Sequence, residues 1–165
     1  MKEATLETFA IGGVIMDEKY MRAAIREAKK AYEKEEVPIG AVIVKDGKVI
    51  ARAHNLRESS KQACAHAEIL AIQKACKKLD AWRLEDCDMY VTLEPCPMCA
   101  GAIINARIKN LYFGAIEPKS GAVGSKLNLF TDYKFNHSVN TVSGVLEDEC
   151  VALLKDFFKM LRNKK

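Results

Sequence analysis

The sequence lacks the features of membrane-spanning and exported proteins. No apolar run approaches the roughly 18 residues that a transmembrane helix needs. The apolar run nearest the N-terminus, residues 9–16, is short, contains Gly12 and Gly13, and is followed by no convincing A-x-A cleavage site. We therefore expect no membrane association and a cytoplasmic location, where the six cysteines stay reduced and are free to bind a metal.

The sequence also lacks internal repeats, low-complexity tracts and any Gly-, Pro- or Ser-rich linker that would divide it. Its 165 residues fit one domain, and 49% apolar residues can supply a core. The net charge of +4 is modest, so a polyanionic partner is permitted but not required. The basic surplus near the C-terminus fits either a solvated helix face or a phosphate-contacting surface, and comprises Lys155, Lys159, Arg162, Lys164 and Lys165.

Helical and strand patterns alternate from residue 17 to the C-terminus. Asp17 is a suitable N-cap for the first helix, and Asp46-Gly47 favours a type I′ turn between two strands. This alternation predicts an α/β sandwich around a central sheet. The spacing predicts helices over 17–35, 65–79, 97–106 and 146–162, strands over 41–44, 48–53, 89–93, 111–114 and 139–145, and loops over 55–64 and 117–126.

The first fifteen residues differ from the rest of the chain. They show neither a sustained helical period nor a strand period, and a regular amphipathic pattern begins only near residue 16. We therefore divide the chain into an N-terminal extension, 1–15, and a domain, 16–165. The extension is expected to be either a loose, disordered segment or an additional ordered segment packed on the domain.

Three side chains suited to zinc occur in two short segments, at His66 and at Cys96 and Cys99. The two cysteines are three positions apart at the start of a predicted helix, so they share a face, and the helix dipole favours their thiolates. One imidazole and two thiolates leave the fourth tetrahedral position to water, as in a catalytic zinc site. Zinc lowers the pKa of that water to about 7, which makes hydroxide available at neutral pH. A redox-active C-x-x-C pair is the alternative, but it leaves the upstream histidine unexplained.

Glu68 lies two residues after His66, and side chains at that spacing do not share a face of a regular helix. One direct ligand and one nearby carboxylate are therefore more natural than two ligands. A carboxylate beside activated water can accept its proton and pass it to a substrate. The alternative role for Glu68 is only to stabilise the helix dipole. The combination favours hydrolytic attack on an unsaturated carbon.

The segments His66-Ala67-Glu68 and Pro95-Cys96-Pro97-Met98-Cys99 together resemble the H-x-E…P-C-x-x-C signature of the zinc-dependent cytidine and deoxycytidylate deaminase superfamily. Residues 16–163 are more specifically similar to bacterial tRNA-specific adenosine deaminases. The segments that carry this similarity are 37–42, 54–55, 65–69, 91–102, 113–115, 119–125 and the tail around 148–158.

The resemblance implies a cytidine-deaminase-like fold, a three-layer α/β/α sandwich with a central mixed five-stranded sheet. It implies one Zn²⁺ per subunit, held by His66, Cys96 and Cys99, with Glu68 as the catalytic residue. The implied reaction is hydrolytic deamination of adenosine to inosine at the wobble position (34) of a tRNA anticodon by zinc-bound hydroxide. The implied partners are the tRNA anticodon stem-loop and a second copy in a homodimer. The implied substrate-binding residues are Asn55, Ala67, Pro95 and Glu117.

Residues 1–15 have no counterpart in the family pattern, and two further positions depart from it. Cys64 stands in Gln62-Ala63-Cys64, where the family often has Asp-Pro-Thr, and it adds a thiol near the site. A fourth ligand would close the metal site, but a residue two positions before His66 on an extended approach is expected to point away. Glu117 replaces a common Asp and retains its charge.

Two other functions remain open from the residues alone. One is a free nucleobase deaminase, for guanine or cytosine, on the same scaffold, since it would share the zinc motifs. The other is a non-catalytic, zinc-stabilised RNA-binding module. Glu68 and the open fourth ligand position argue against the second.

Overall fold

A five-stranded mixed sheet forms the centre of the structure, a computed structural model that describes residues 8–11 and 14–165. The strand order is β4-β3-β5-β6-β7, and a separate two-stranded ribbon, β1-β2, precedes it. The strands are β1 (Thr8–Ile11), β2 (Val14–Asp17), β3 (Gly40–Lys45), β4 (Lys48–His54), β5 (Cys87–Leu93), β6 (Asn110–Ala115) and β7 (Asn140–Val142). The helices are α1 (Glu18–Glu33), α2 (Arg57–Ser60), α3 (Ala67–Leu79), α4 (Pro97–Asn105) and α5 (Glu147–Asn163).

Helices cover both faces of this sheet. Strand β3 pairs antiparallel with β4 and β5, whereas β5, β6 and β7 run parallel. Side chains alternate along β3, so Ala41 and Ile43 pack against α3 and α4, and Val42 and Val44 pack against α1. Helix α5 lies on the same face as α1, where its Cys150 packs in the same apolar cluster. The predicted three-layer α/β/α sandwich and its five-stranded mixed sheet are confirmed.

The predicted helices and strands are all present, with ends within two residues of the prediction except at the end of β7. Asp17 caps α1 by accepting a hydrogen bond from the backbone N–H of Lys19. Asp46 and Gly47 both have positive φ, 50° and 73°, as a type I′ turn requires. Helix α1 ends two residues before the predicted limit because Glu35 is left-handed (φ 59°) and the next N–H, of Glu36, turns back to Ala31 O.

Three local differences separate the structure from the sequence prediction. A short helical turn, α2, lies within the predicted 55–64 loop. Strand β7 stops at Val142, shortly before Gly144 takes a positive φ of 77°. Helix α3 begins at Ala67 and not at residue 65, because His66 is extended (ψ 151°). This extended residue is one of the predicted metal ligands.

Part of the predicted N-terminal extension has regular structure. Strands β1 and β2 pair antiparallel, with Ile11 opposite Val14. Residues 1–7 and 12–13 lie outside the described residues, so the predicted domain boundary at residue 16 stays a prediction.

No helix within residues 8–11 and 14–165 combines the length and the apolar character needed to cross a bilayer. All six cysteines are free thiols.

Candidate active site

Two helix N-termini bring His66, Cys96 and Cys99 together. His66 is the last residue before α3, Cys96 is the last before α4, and Cys99 lies in the first turn of α4. The Nδ1 atom of His66 is 3.7 Å from Cys96 Sγ and 3.5 Å from Cys99 Sγ. All candidate ligand atoms lie within 4.8 Å of one another, and no other such cluster of three occurs in the described ranges. The group can hold a metal ion.

The two sulfur atoms of this cluster have opposite protonation tendencies. A hydrogen bond from the Cys99 thiol, together with His66, lowers the pKa of Cys96 to about 4. The same hydrogen bond, together with burial, raises the pKa of Cys99. The hydrogen bond to Cys96 also raises the pKa of His66. Since metals bind thiolates, a cation held by this group would displace the proton of Cys99.

Glu68 lies beside this cluster in the first turn of α3 and is only 4% exposed. Burial raises its pKa, against the opposing effects of hydrogen bonds from its own backbone N–H and from Cys99. A carboxylate whose pKa is raised is a stronger base than an exposed one. Its position is therefore suited to proton transfer at the metal cluster.

A pocket of about 220 Å³ opens onto these groups. Its wall includes the predicted residues His66, Glu68, Cys96, Asn55 and Glu117. Asn55 is 5% exposed, and Glu117 is half-buried. The structure therefore brings five of the predicted site residues to one cavity.

Three further residues named from the sequence, Ala67, Pro95 and Cys64, do not belong to the wall of this pocket. Ala67 is buried at the first position of α3, and Pro95 is buried directly before Cys96, with its C=O accepting from the N–H of Ala122. Cys64 is exposed and does not belong to the metal cluster.

Glu94 was not singled out from the sequence, although it also lines the pocket. It is 3% exposed and its carboxylate accepts the N–H groups of Glu117 (3.2 Å), Val123 (3.0 Å) and Ser125 (3.2 Å), as well as the Ser125 hydroxyl. An acid at the end of a buried strand was the available signal. Glu94 thereby holds the 117–125 loop against the pocket.

A larger groove of about 1240 Å³ adjoins the pocket. The two cavities share four lining residues, namely Val37, Leu93, Glu117 and Phe158. One side of the groove is the outer face of α5. The basic side chains that line the groove are Lys119, Lys155, Lys159, Arg162 and Lys165. Three of the five C-terminal cations noted in the sequence thus lie on α5 itself and line this groove, and a fourth, Lys165, lines it just beyond the helix.

Known proteins are similar to this chain in sequence. The family model of MafB19-like deaminases matches residues 15–162. The tRNA-specific adenosine deaminase of Bacillus subtilis (strain 168) is 58% identical over 149 residues, 90% of this chain and 92% of that protein. The tRNA-specific adenosine deaminase of Aquifex aeolicus (strain VF5) is 48% identical over 146 residues, 88% of this chain and 96% of that protein.

A solved structure of another protein has the same fold as this chain. It comes from biochemical and structural studies of A-to-I editing by tRNA:A34 deaminases at the wobble position of transfer RNA. It superimposes with a TM-score of 0.80 and 48% identity over 82% of this chain and 99% of that chain. Because the deaminase model spans nearly the whole chain and these relatives match over more than nine-tenths of their length, the protein belongs to the family of tRNA-specific adenosine deaminases.

Proposed function

We propose that this protein converts adenosine to inosine at the wobble position (34) of a tRNA anticodon. One water molecule is consumed and one ammonia is released, so the exocyclic amine at C6 is replaced by oxygen. The observation that carries the proposal is the buried Glu68 carboxyl group beside the His66, Cys96 and Cys99 cluster at the pocket. The same chain is 58% identical to the Bacillus subtilis tRNA-specific adenosine deaminase.

Zinc is the metal that this donor set fits. Bonds of about 2.3 Å to sulfur and about 2.1 Å to nitrogen at a tetrahedral angle place the two ligand atoms about 3.6 Å apart. The observed separations of 3.7 and 3.5 Å from His66 Nδ1 to the sulfurs of Cys96 and Cys99 agree with that value. An ion held there supplies activated water at neutral pH.

Glu68 is proposed to move the protons of the reaction. It accepts one from the attacking water, delivers it to N1 of adenine, and then assists the departure of ammonia. Burial raises the pKa of its carboxyl group, which makes the carboxylate a better acceptor of a proton from water.

The size of the pocket favours a single extruded base. Its volume of about 220 Å³ is smaller than a drug-sized site. Because C6 of a stacked adenine is inaccessible, the base must leave its stack to reach Glu68. Asn55 and Glu117 are proposed to contact it there.

The basic groove is proposed to hold the neighbouring RNA backbone. It adjoins the pocket and presents lysine and arginine side chains along α5. Single-stranded loops are the usual targets of sequence-specific RNA recognition, and phosphate contacts add affinity. A tRNA substrate also agrees with a cytoplasmic location.

A homodimer is part of the proposal, by resemblance to the family. Sedimentation of the zinc-loaded protein at micromolar concentration is expected to give twice the 18.4 kDa chain mass. A monomer at those concentrations would remove this part of the proposal and leave the chemistry untouched.

The deciding experiment uses zinc-loaded protein and an anticodon stem-loop with adenosine at position 34. Inosine is expected at that position only, with one ammonia released per inosine, as measured by mass spectrometry of the digested RNA. Turnover of free guanine or cytosine without inosine would select the nucleobase deaminase instead. Stem-loop binding without turnover of any of these would select the non-catalytic RNA-binding module.

A further inference from the structure

Glu36 is a buried acid outside the metal cluster. It is 1% exposed, directly after the left-handed end of α1. Its carboxylate accepts hydrogen bonds from the backbone N–H groups of Ser59 (2.5 Å) and Glu58 (3.2 Å). Burial alone would raise its pKa, but these hydrogen bonds, led by those from Ser59, outweigh burial, and its pKa is lowered. Glu36 is therefore an anion at neutral pH, held by two amides of the α2 turn.

The α2 turn depends on side chains from outside itself. It has only four residues, and its N-cap residue Leu56 makes no side-chain cap. Helices this short are not stable on their own. The N–H of Arg57 is accepted by Asn55 Oδ1 (3.1 Å), and the next two by Glu36. Two side chains thus satisfy the three amides that open the turn.

This arrangement sets the orientation of the Asn55 side chain. Its oxygen accepts from the Arg57 N–H, and its Nδ2 donates to Val37 O (3.3 Å). Only the oxygen can accept from an N–H and only the nitrogen can donate to a carbonyl. These two partners therefore fix the positions of Oδ1 and Nδ2 in the Asn55 side chain. Asn55 lines the pocket with His66 and Glu68, and among the described residues only Val37 O accepts from Nδ2, so its second N–H is available to a ligand.

We propose that Glu36 is a positioning residue that acts through Asn55. By holding the α2 turn, it keeps Asn55 Oδ1 engaged and makes Asn55 a hydrogen-bond donor toward the pocket. A donor there pairs with a ring nitrogen of a purine and disfavours an amino group. The inference rests on the function proposed above for the pocket. It adds which residue makes Asn55 present a hydrogen-bond donor, and not an acceptor, to the base.

The kinetic test compares Glu36→Gln with Glu33→Gln, an exposed acid three residues earlier that loses the same charge. Loss of the Asn55 contact should raise KM for the A34 stem-loop about tenfold, with kcat changed less than about threefold. Glu33→Gln should change neither. Glu36→Asp keeps the charge and should lie between the wild type and Glu36→Gln.

A double-mutant cycle with Asn55→Ala separates positioning from a general structural role. If Glu36 acts through Asn55, Glu36→Gln should cost less than about twofold once Asn55 is alanine. An undiminished KM effect in that background would overturn the proposal.

A spectroscopic test on zinc-loaded protein without RNA does not depend on activity. The Asn55 side-chain NH₂ signals, assigned by their loss in Asn55→Ala, should be separate and sharp in the wild type and in Glu33→Gln. In Glu36→Gln, or in Glu36→Asp if the glutamine variant does not fold, they should shift and broaden. Unchanged Asn55 signals would overturn the inference. If the wild type made no inosine, the proposed function would fail, and these signals would still decide whether Glu36 orients Asn55.

Discussion

Glu68 and the metal cluster divide the chemistry between neighbouring side chains. Glu68 contacts Cys99 but is not one of the three clustered ligands, and it shares the pocket with His66. A carboxyl group so placed can transfer protons without determining metal affinity. The two roles can therefore be separated by single substitutions.

Glu68→Gln is expected to keep the metal and lose deamination. The amide occupies the same space but cannot exchange the proton, and general acid–base catalysis contributes at least about a hundredfold. Inosine formation and bound zinc should be measured on the same preparation. Glu58→Gln, an exposed acid on α2, is the control. A Glu68→Gln enzyme with a normal rate would remove Glu68 from the mechanism.

Cys96→Ala is expected to lose zinc, whereas Cys64→Ala is expected to keep it. Both substitutions remove a thiol in or next to a motif segment, but of these two residues only Cys96 has its sulfur near His66 Nδ1 (3.7 Å), and Cys64 is exposed. Metal content after dialysis checks this directly. Loss of zinc from Cys64→Ala would show that Cys64 is also a ligand of the metal.

At the scale of elements, the 117–125 loop depends on the close approach of Gly121 to Glu94. A Cβ on Gly121 would overlap Glu94 Oε2 and lie 2.5 Å from Glu117 O. Both neighbours are fixed by hydrogen bonds, so they cannot move freely. The loop that carries Glu117 is thus held in one position relative to the pocket.

Gly121→Ala is therefore expected to lower the free energy of unfolding by about 1–3 kcal/mol, as overpacking does. KM for the stem-loop should rise with it, since Glu117 is displaced. Urea denaturation measures the first effect. Gly101→Ala in α4, where a Cβ meets nothing within 4 Å, is the matched control and should be neutral or stabilising. Equal stability of the two variants would contradict the argument.

Helix α5 provides a test of the RNA groove. Neutralising Lys155 and Lys159 together should weaken stem-loop binding and reduce the slope of log K against log salt by about 1.4, if each contacts one phosphate. Neutralising Lys77 and Lys78, two exposed lysines at the far end of α3, removes the same charge elsewhere. Equal slopes for both double variants would mean that α5 is only a solvated face.

At the scale of the whole molecule, two apolar clusters stabilise the fold on opposite faces of the sheet. Metal is not needed to form a core of this size, in contrast to small zinc-dependent modules. Chelation of zinc should therefore abolish deamination and lower Tm while leaving the circular dichroism spectrum folded. Added zinc should restore both properties. Complete unfolding on chelation would show that the metal is part of the core.

The sequence could predict what is local. Periodicity located the helices and strands, because apolar alternation reflects which face each element buries. The motif spacing located His66, Glu68, Cys96 and Cys99, which lie together in the structure. The position of Glu94 after a buried strand was a usable signal, but the hydrogen-bond partners of Glu36 and Glu94 were not predictable, because they are 22 to 31 residues away in the chain. The α2 turn was missed for the same reason, since its amides depend on Glu36.

His66 and Cys96 both occupy N-cap positions, and neither side chain caps its helix. A serine or aspartate at such a position usually stabilises a helix by about 1 kcal/mol. Helices α3 and α4 therefore begin without this stabilisation, because their N-cap residues belong to the metal cluster. Selection for thermal stability alone would favour capping residues at positions 66 and 96. Those substitutions would remove two proposed metal ligands, so stability and activity make opposite demands on these two positions.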